Sequence, residues 1–232
     1  MRLAISVGVL LFMGCCSWAS NLVQDFSFET PDVSSMTNGL EYRPTGTPWT
    51  FLLHAGITAA GSYSPVGSFG LSAGSAPDGN QVAFIQEADS EIDQTIDGLT
   101  VGDVYDVSFF AAARSEQGLP PFFYGGGEDF DVYWNSTLIG YYLPTLTTFT
   151  LYTTDAFTAT STSGVLMFEG IDSVSDSQCQ QTSDGTCDRT AFIDAVQLSD
   201  PIVPEPASAL LLLSGLGVLA FGLRGKFARS RG

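Results

Sequence analysis

Asp103-Val104-Tyr105-Asp106-Val107-Ser108-Phe109-Phe110-Ala111-Ala112-Ala113-Arg114 is the stretch on which the fold turns. In an extended chain Tyr105, Val107, Phe109 and Ala111 share one face, and Val104, Asp106, Ser108 and Phe110 share the other. Gly98 and Gly102 punctuate its start. The same period of two predicts further strands at 23–29, 81–86, 91–96, 130–134, 147–157, 165–171 and 190–198, and no segment between them keeps a helical period over three turns. About eight short strands at this spacing imply an all-β chain folded as a two-sheet β-sandwich of the jelly-roll kind.

The two ends of the chain read differently. Arg2, an apolar run from Leu3 to Met13 and small residues up to Ala19 have the three regions of a secretory signal peptide, residues 1–19. Gly14-Cys15 offers a lipoprotein alternative, but Phe12 and Met13 suit a lipobox poorly. At the other end Val203-Pro204-Glu205-Pro206 precedes an uncharged run from Ala207 to Leu223, and then Arg224, Lys226, Arg229 and Arg231. As a transmembrane helix, 207–223 would extend roughly 25 Å, just short of a hydrocarbon core of about 30 Å. The basic residues after it place that end in the cytoplasm and the body of the chain outside.

The span 20–200 suits one domain with a sizeable core. It holds 24 of the 25 acidic residues against Arg43, Arg114 and Arg189, a formal charge of −21. Such a surface repels nucleic acid and anionic membranes, and leaves Ca²⁺ as a natural counter-charge. Cys179 and Cys187, with seven residues between them, sit in a polar loop and remain after Cys15 and Cys16 are set aside with the signal; in an exported chain a disulfide between them is expected. The sole histidine, His54, is distant in sequence, which argues against a thiol-imidazole metal site.

The order of motif, short apolar helix and basic end resembles the PEP-CTERM sorting signal of Gram-negative bacteria, with Pro204, Glu205 and Pro206 matching position by position. The resemblance implies recognition by an exosortase, a membrane protease or transpeptidase, in cells that make exopolysaccharide. The proline pair keeps the motif out of the helix and extended. A second resemblance is carried by residues 21–29, by Asp78-Gly79-Asn80-Gln81-Val82-Ala83-Phe84, by 94–102 with Tyr105 to Arg114, and by Ala191-Phe192-Ile193-Asp194-Ala195-Val196-Gln197-Leu198. Together these are similar to the galactose-binding-like jelly rolls of carbohydrate-binding modules and DUF642-type cell-wall proteins. That likeness implies a structural Ca²⁺ where the first and last strands meet, with Glu29 and Asp194 at its acidic positions. Strand parity independently puts Asp194 on the face of Phe192, Val196 and Leu198, where a lone carboxylate is costly. Calcium, an ion pair with Arg114 or Arg189, or exposure at a strand end would each relieve it.

For carbohydrate contact the chain offers Trp49, at a strand start and either core or rim, and Phe122-Phe123-Tyr124, between Pro120-Pro121 and Gly125-Gly126-Gly127. Those three loop aromatics are either folded back over a sheet edge or offered to a partner; Trp134, alternating with Phe130 and Val132, belongs in the core. Asn135-Ser136-Thr137 forms a glycosylation sequon but reads as a hairpin turn. Acidic pairs such as Asp129 with Asp131, or Asp89 with Glu91, are inevitable among so many carboxylates and do not make a glycosidase. His54 has no nucleophile elbow near it. The expectation is an exported, non-enzymatic surface or matrix protein that contacts exopolysaccharide or another carbohydrate. Its rivals are a structural matrix or protein-interaction module without glycan binding, an ice-binding protein and a glycosidase. Thr147, Thr148, Thr150, Thr153 and Thr154 are too irregular for an ice-binding ladder.

Overall fold

The structure, a computed structural model, describes residues 21–36, 39–59, 76–114, 127–171 and 189–199. The strands are β1 (Leu40–Tyr42), β2 (Thr50–Leu52), β3 (Ala55–Ala59), β4 (Gln81–Gln86), β5 (Glu91–Asp97) and β6 (Val104–Ala113), followed by β7 (Phe130–Trp134), β8 (Thr137–Tyr142), β9 (Thr150–Thr153), β10 (Phe157–Thr158), β11 (Ser163–Gly170) and β12 (Thr190–Ser199). One sheet runs β1-β3-β4-β12-β6, with β9 and β10 pairing in turn along the free side of β6; the other runs β2-β5-β11-β7-β8. Every pairing is antiparallel. This is the jelly-roll sandwich expected. Among the described residues no helix is long and apolar enough to cross a membrane. The predicted signal peptide, the aromatic loop Phe122–Tyr124, the Cys179/Cys187 pair, the sorting motif, the 207–223 helix and the basic tail lie outside those residues.

Alternation becomes burial as predicted along β6, where Tyr105, Val107, Phe109 and Ala111 enter the core and Val104 stays exposed. Phe109 meets Phe168 edge-on at 5.2 Å and Phe130 at 5.8 Å, joining the two sheets. Trp134 stacks on Phe157 at 4.4 Å. Asn135 and Ser136 both have positive φ (47° and 66°), as a two-residue hairpin turn requires, and they connect β7 to β8.

Two predicted strands are corrected. Residues 23–29 alternate, yet they form a turn and loop. Asp25 accepts the main-chain N–H groups of Glu29 and Thr30, with positive φ at Asp25 and Phe28. Side-chain amides replace the missing ladder. Asn21 bonds Val196 O and Leu198 N, Gln94 bonds both main-chain groups of Gln24, and buried Gln81 bonds Phe28 O, Pro31 O and Val33 N. The predicted strand 147–157 splits into β9 and β10 at Thr154, whose N–H still donates to Val107 O but whose side chain takes over from the main chain as acceptor. Its hydroxyl accepts the Val107 N–H, while the next residue, Asp155, donates across to Ile139 O in the second sheet.

Candidate functional site

β12 contains a bulge, and the site is built on it. Pairing with β6 is regular up to Asp194 and resumes at Gln197 with a shifted register. Ala195, at φ 50°, donates its N–H to Asp194 Oδ1 at 2.7 Å, and Val196 donates to Phe26 O instead of the ladder. The extra residue reverses parity along the strand. Ala191, Ile193, Val196 and Leu198 all enter the main core, while Phe192 packs with Val82 and Phe84 in a smaller cluster. The parity expectation is therefore corrected: Asp194 shares a face with Phe192 but not with Val196 and Leu198.

Asp194 is fully buried, and its second oxygen accepts the Asp78 N–H at 2.9 Å. Neither Arg114 nor Arg189 pairs with it; the main chain holds it. Two and three residues on, the same segment bonds Glu29, whose Oε1 accepts the N–H groups of Asn80 (2.7 Å) and Gln81 (2.8 Å). Gly79, at φ 69°, leaves no room for a Cβ, which would overlap the Glu29 carboxylate. Residues 78–81 thus bring together Glu29 and Asp194, the two acids the sequence points to, and add the carboxylate of Asp78. Burial pushes the Asp194 carboxyl up to about 7; the hydrogen bonds from Asp78 and Ala195 offset part of this, and the charges of Asp78 and Glu29 add to it. A fully buried carboxylate facing two others is an arrangement a hard cation relieves, with oxygen ligands from Asp194, Glu29 and neighbouring carbonyls. Among the described residues no three acidic, imidazole or thiol groups converge as a ready cage.

A second feature covers the outer face of the β2-β5-β11-β7-β8 sheet. Glu91, Glu169 and Asp131 lie side by side in register on β5, β11 and β7, with Tyr141 of β8 next in the row. The adjacent row is Thr50, Asp93, Met167, Tyr133 and Leu138. Tyr133 donates its hydroxyl to Asp131 at 2.9 Å, and Tyr141 donates to Asp129 at 3.2 Å. Burial, then the Asp131 hydrogen bond, pushes the Tyr133 phenol up to about 12. Burial and the charges of Glu169, Asp93 and Asp89 raise Glu91. Like charges opposite one another weaken a sheet. Glu169→Gln, at the centre of the row, is accordingly expected to stabilise the fold by roughly 0.2–1 kcal/mol at low salt. A thermal melt should rise by about 1–3 °C, less in molar salt, and an unchanged or lowered midpoint would show the row is not repulsive.

The remaining predicted residues separate clearly. Trp49 is 3% exposed, packs on Phe28 at 4.9 Å and donates its indole N–H to Asp25 O, so its place is core and not rim. His54 Nδ1 lies 3.0 Å from Glu87 Oε2. Ser90 does not complete a catalytic set with them, since its hydroxyl donates to Gln86 O and accepts the main-chain N–H of His54. The outer-face tyrosines were missed because Tyr133 and Tyr141 stand in strands whose apolar face was the conspicuous one. The in-register acids could not be seen before strand order was known.

Fold and site define a two-sheet antiparallel jelly roll with a carboxylate junction at the bulge of its last strand. The tail supplies the particular label: residues 203–226 match the PEP-CTERM protein-sorting motif, and the chain carries that motif. Among solved structures the body is similar to TmCBM61 in complex with beta-1,4-galactotriose, at 13% identity and a TM-score of 0.45, covering 78% of this chain and 99% of that one. It is similar to the CBM22-1 xylan-binding domain of Paenibacillus barcinonensis Xyn10C at 12% identity and TM-score 0.44, with 78% and 94% covered. A third is the carbohydrate-binding module CBM36 in complex with calcium and xylotriose, at 14% identity and TM-score 0.36, with 62% and 93% covered. No curated protein matches the sequence.

Proposed function

We propose that this is an exported, non-enzymatic jelly-roll protein that its PEP-CTERM tail delivers to an exosortase, and that it contacts carbohydrate at the cell surface or in an exopolysaccharide matrix. The observation that carries the reading is the sorting motif at 203–226, because a chain bearing it is addressed to the envelope whatever its body does. Until processing, the 207–223 helix would tether it to the membrane. The glycan half is supported by the outer face just described. Two tyrosines pinned by their own hydroxyl bonds offer rings at little further entropic cost, and carboxylates beside them accept hydrogen bonds from sugar hydroxyls. Glu29 and Asp194 would hold a structural Ca²⁺ that neutralises the junction and fixes the N-terminal segment to β12, away from the tyrosine face.

A glycan array probed with the full chain in detergent tests this. Binding to one or more glycans is expected, with Tyr133→Ala reducing it about tenfold or more. Melting should be little changed, since Tyr133 stands on the outer face. An array that stays blank with and without Ca²⁺ would favour the structural matrix alternative.

A further inference from the structure

The span 20–200 contains three arginines, one histidine and no lysine. All four lie among the described residues, so the cationic surface of this acidic body can be mapped completely. Arg114 and Arg189 are 3% and 9% exposed. Arg43 is exposed, and the His54 side chain is 50% exposed. The one exposed arginine and the one imidazole line the same cleft, of about 290 Å³, together with Tyr42 and Leu53.

Their meeting follows from the chain path. Arg43 directly follows β1 and donates its N–H to Ala55 O at the start of β3. Leu53-His54 is the link by which the chain passes from β2 in one sheet to β3 in the other. Gln86 N–H donates to His54 O, which fixes that link against β4. Tyr42 is held by its hydroxyl, 2.6 Å from Gln86 Oε1, and by edge contacts with Phe84 at 5.1 Å and His54 at 6.5 Å. Arg43, Leu53 and Glu87 all adopt positive φ (52°, 52° and 69°), a conformation that arginine, leucine and glutamate rarely take. Strain of this kind persists where surrounding structure enforces it, and it clusters at binding sites.

The charges around the cleft are unevenly matched. Glu87 Oε2 faces His54 Nδ1, but no carboxylate among the described residues pairs with the Arg43 guanidinium. At physiological salt the Debye length is about 8 Å, so acids farther off weigh little on what Arg43 attracts. A guanidinium fork matches a planar or tetrahedral oxyanion with two parallel hydrogen bonds. Beside it stand a fixed aromatic ring, 38% exposed, and Leu53, 51% exposed. The volume is at the lower edge of small-ligand sites, roughly 300–1,000 Å³, and suits one ring better than an extended chain.

We propose that this cleft binds a sugar ring bearing one anionic group, a uronate carboxylate or a sulfate ester, with Arg43 taking the anion and Tyr42 and Leu53 packing on the ring. The inference rests on the glycan-contact reading above and adds to it a second site and a charge class. Isothermal titration of the full chain in detergent would use a galacturonate trimer, a sulfated galactose trimer and a neutral galactotriose. At least one anionic trimer should bind, and which one binds identifies the anion. Arg43→Gln should weaken it roughly tenfold or more, and Arg43→Lys less. Melting should be unchanged, because glutamine meets the same backbone strain as arginine. Tyr133→Ala should leave this binding intact. Equal affinity for the anionic trimers in Arg43→Gln, or binding of the neutral trimer alone, would overturn the inference and leave glycan contact standing. No binding to any of the three, together with a blank array, would overturn both.

Discussion

Metal-free protein should lose stability as pH rises from about 4 to about 7, a slope opposite to ordinary acid denaturation. The Asp194 carboxyl titrates near 3.8 when exposed and near 7 in the folded chain, chiefly through burial. Between those values the folded state holds a proton that the unfolded state has released, so raising pH favours unfolding. A displacement of this size corresponds to roughly 4 kcal/mol, or on the order of 10 °C in melting midpoint for a domain of this length. Glu91 and Asp93 are raised as well, mainly by burial, and act in the same direction. Asp194→Asn should therefore flatten most of the slope, not all of it. Millimolar Ca²⁺ is expected to remove it in the native chain by holding the carboxylate ionised, and to raise the midpoint by mass action, about 2.7 kcal/mol at a hundredfold excess over Kd. Thermal melts at several pH values, in chelator and in Ca²⁺, separate the two ideas. A flat chelator profile would show that Asp194 is hydrated, and identical profiles in both would remove calcium from the junction.

How far this architecture can be read from the chain depends on which groups close its hydrogen bonds. Where main chain pairs with main chain and one face is buried, alternation is enough: the sequence pattern places β7 at Phe130–Trp134, as found, whereas β4, found where expected at Gln81–Gln86, is buried on both faces and shows in the sequence as a short continuous apolar run. β1 and β2 have three residues each, too few to show a period, and β3 is buried on both faces, so its Ala-Gly-Ile-Thr-Ala cannot alternate. The first segment fails differently. Phe26 and Phe28 are spaced like a strand and, with Val23, pack into or against the core, but Asn21, Gln81 and Gln94 supply the bonds a neighbouring strand would have made. A polar amide in a sequence gives no sign of which distant main chain it will serve. Glu29 and Asp194 could be singled out because the motifs around them are distinctive, whereas the Ala195 bulge that turns Asp194 away from the main core could not. The Arg43 cleft was half visible: the scarcity of bases is plain in the composition, but only the fold shows that burial removes two of three from the surface.

The largest expected effect lies in the tail, where a two-residue change should decide the fate of the whole chain. If Pro204-Glu205-Pro206 is what the exosortase reads, then Glu205→Ala combined with Pro206→Ala removes recognition without altering Ala207 to Leu223, the run that would insert in the membrane. Loss of processing should be nearly complete, and the uncut chain should stay in the membrane fraction. As a helix, 207–223 would give an anchor of roughly 25 Å, short but uncharged, and Arg224, Lys226, Arg229 and Arg231 would hold the cytoplasmic end in place. The native chain, in a host that makes the exosortase, should reach the surface or medium without those four residues, with a C-terminus near the motif in mass spectra. The body should be unaffected by the double change, since the strands and core of the described residues close before residue 200, so both forms should melt alike. Native and altered chains that both keep Arg224 to Gly232 and fractionate together would mean that the tail is only an anchor, and the reading of this protein as an exosortase substrate would fall with it.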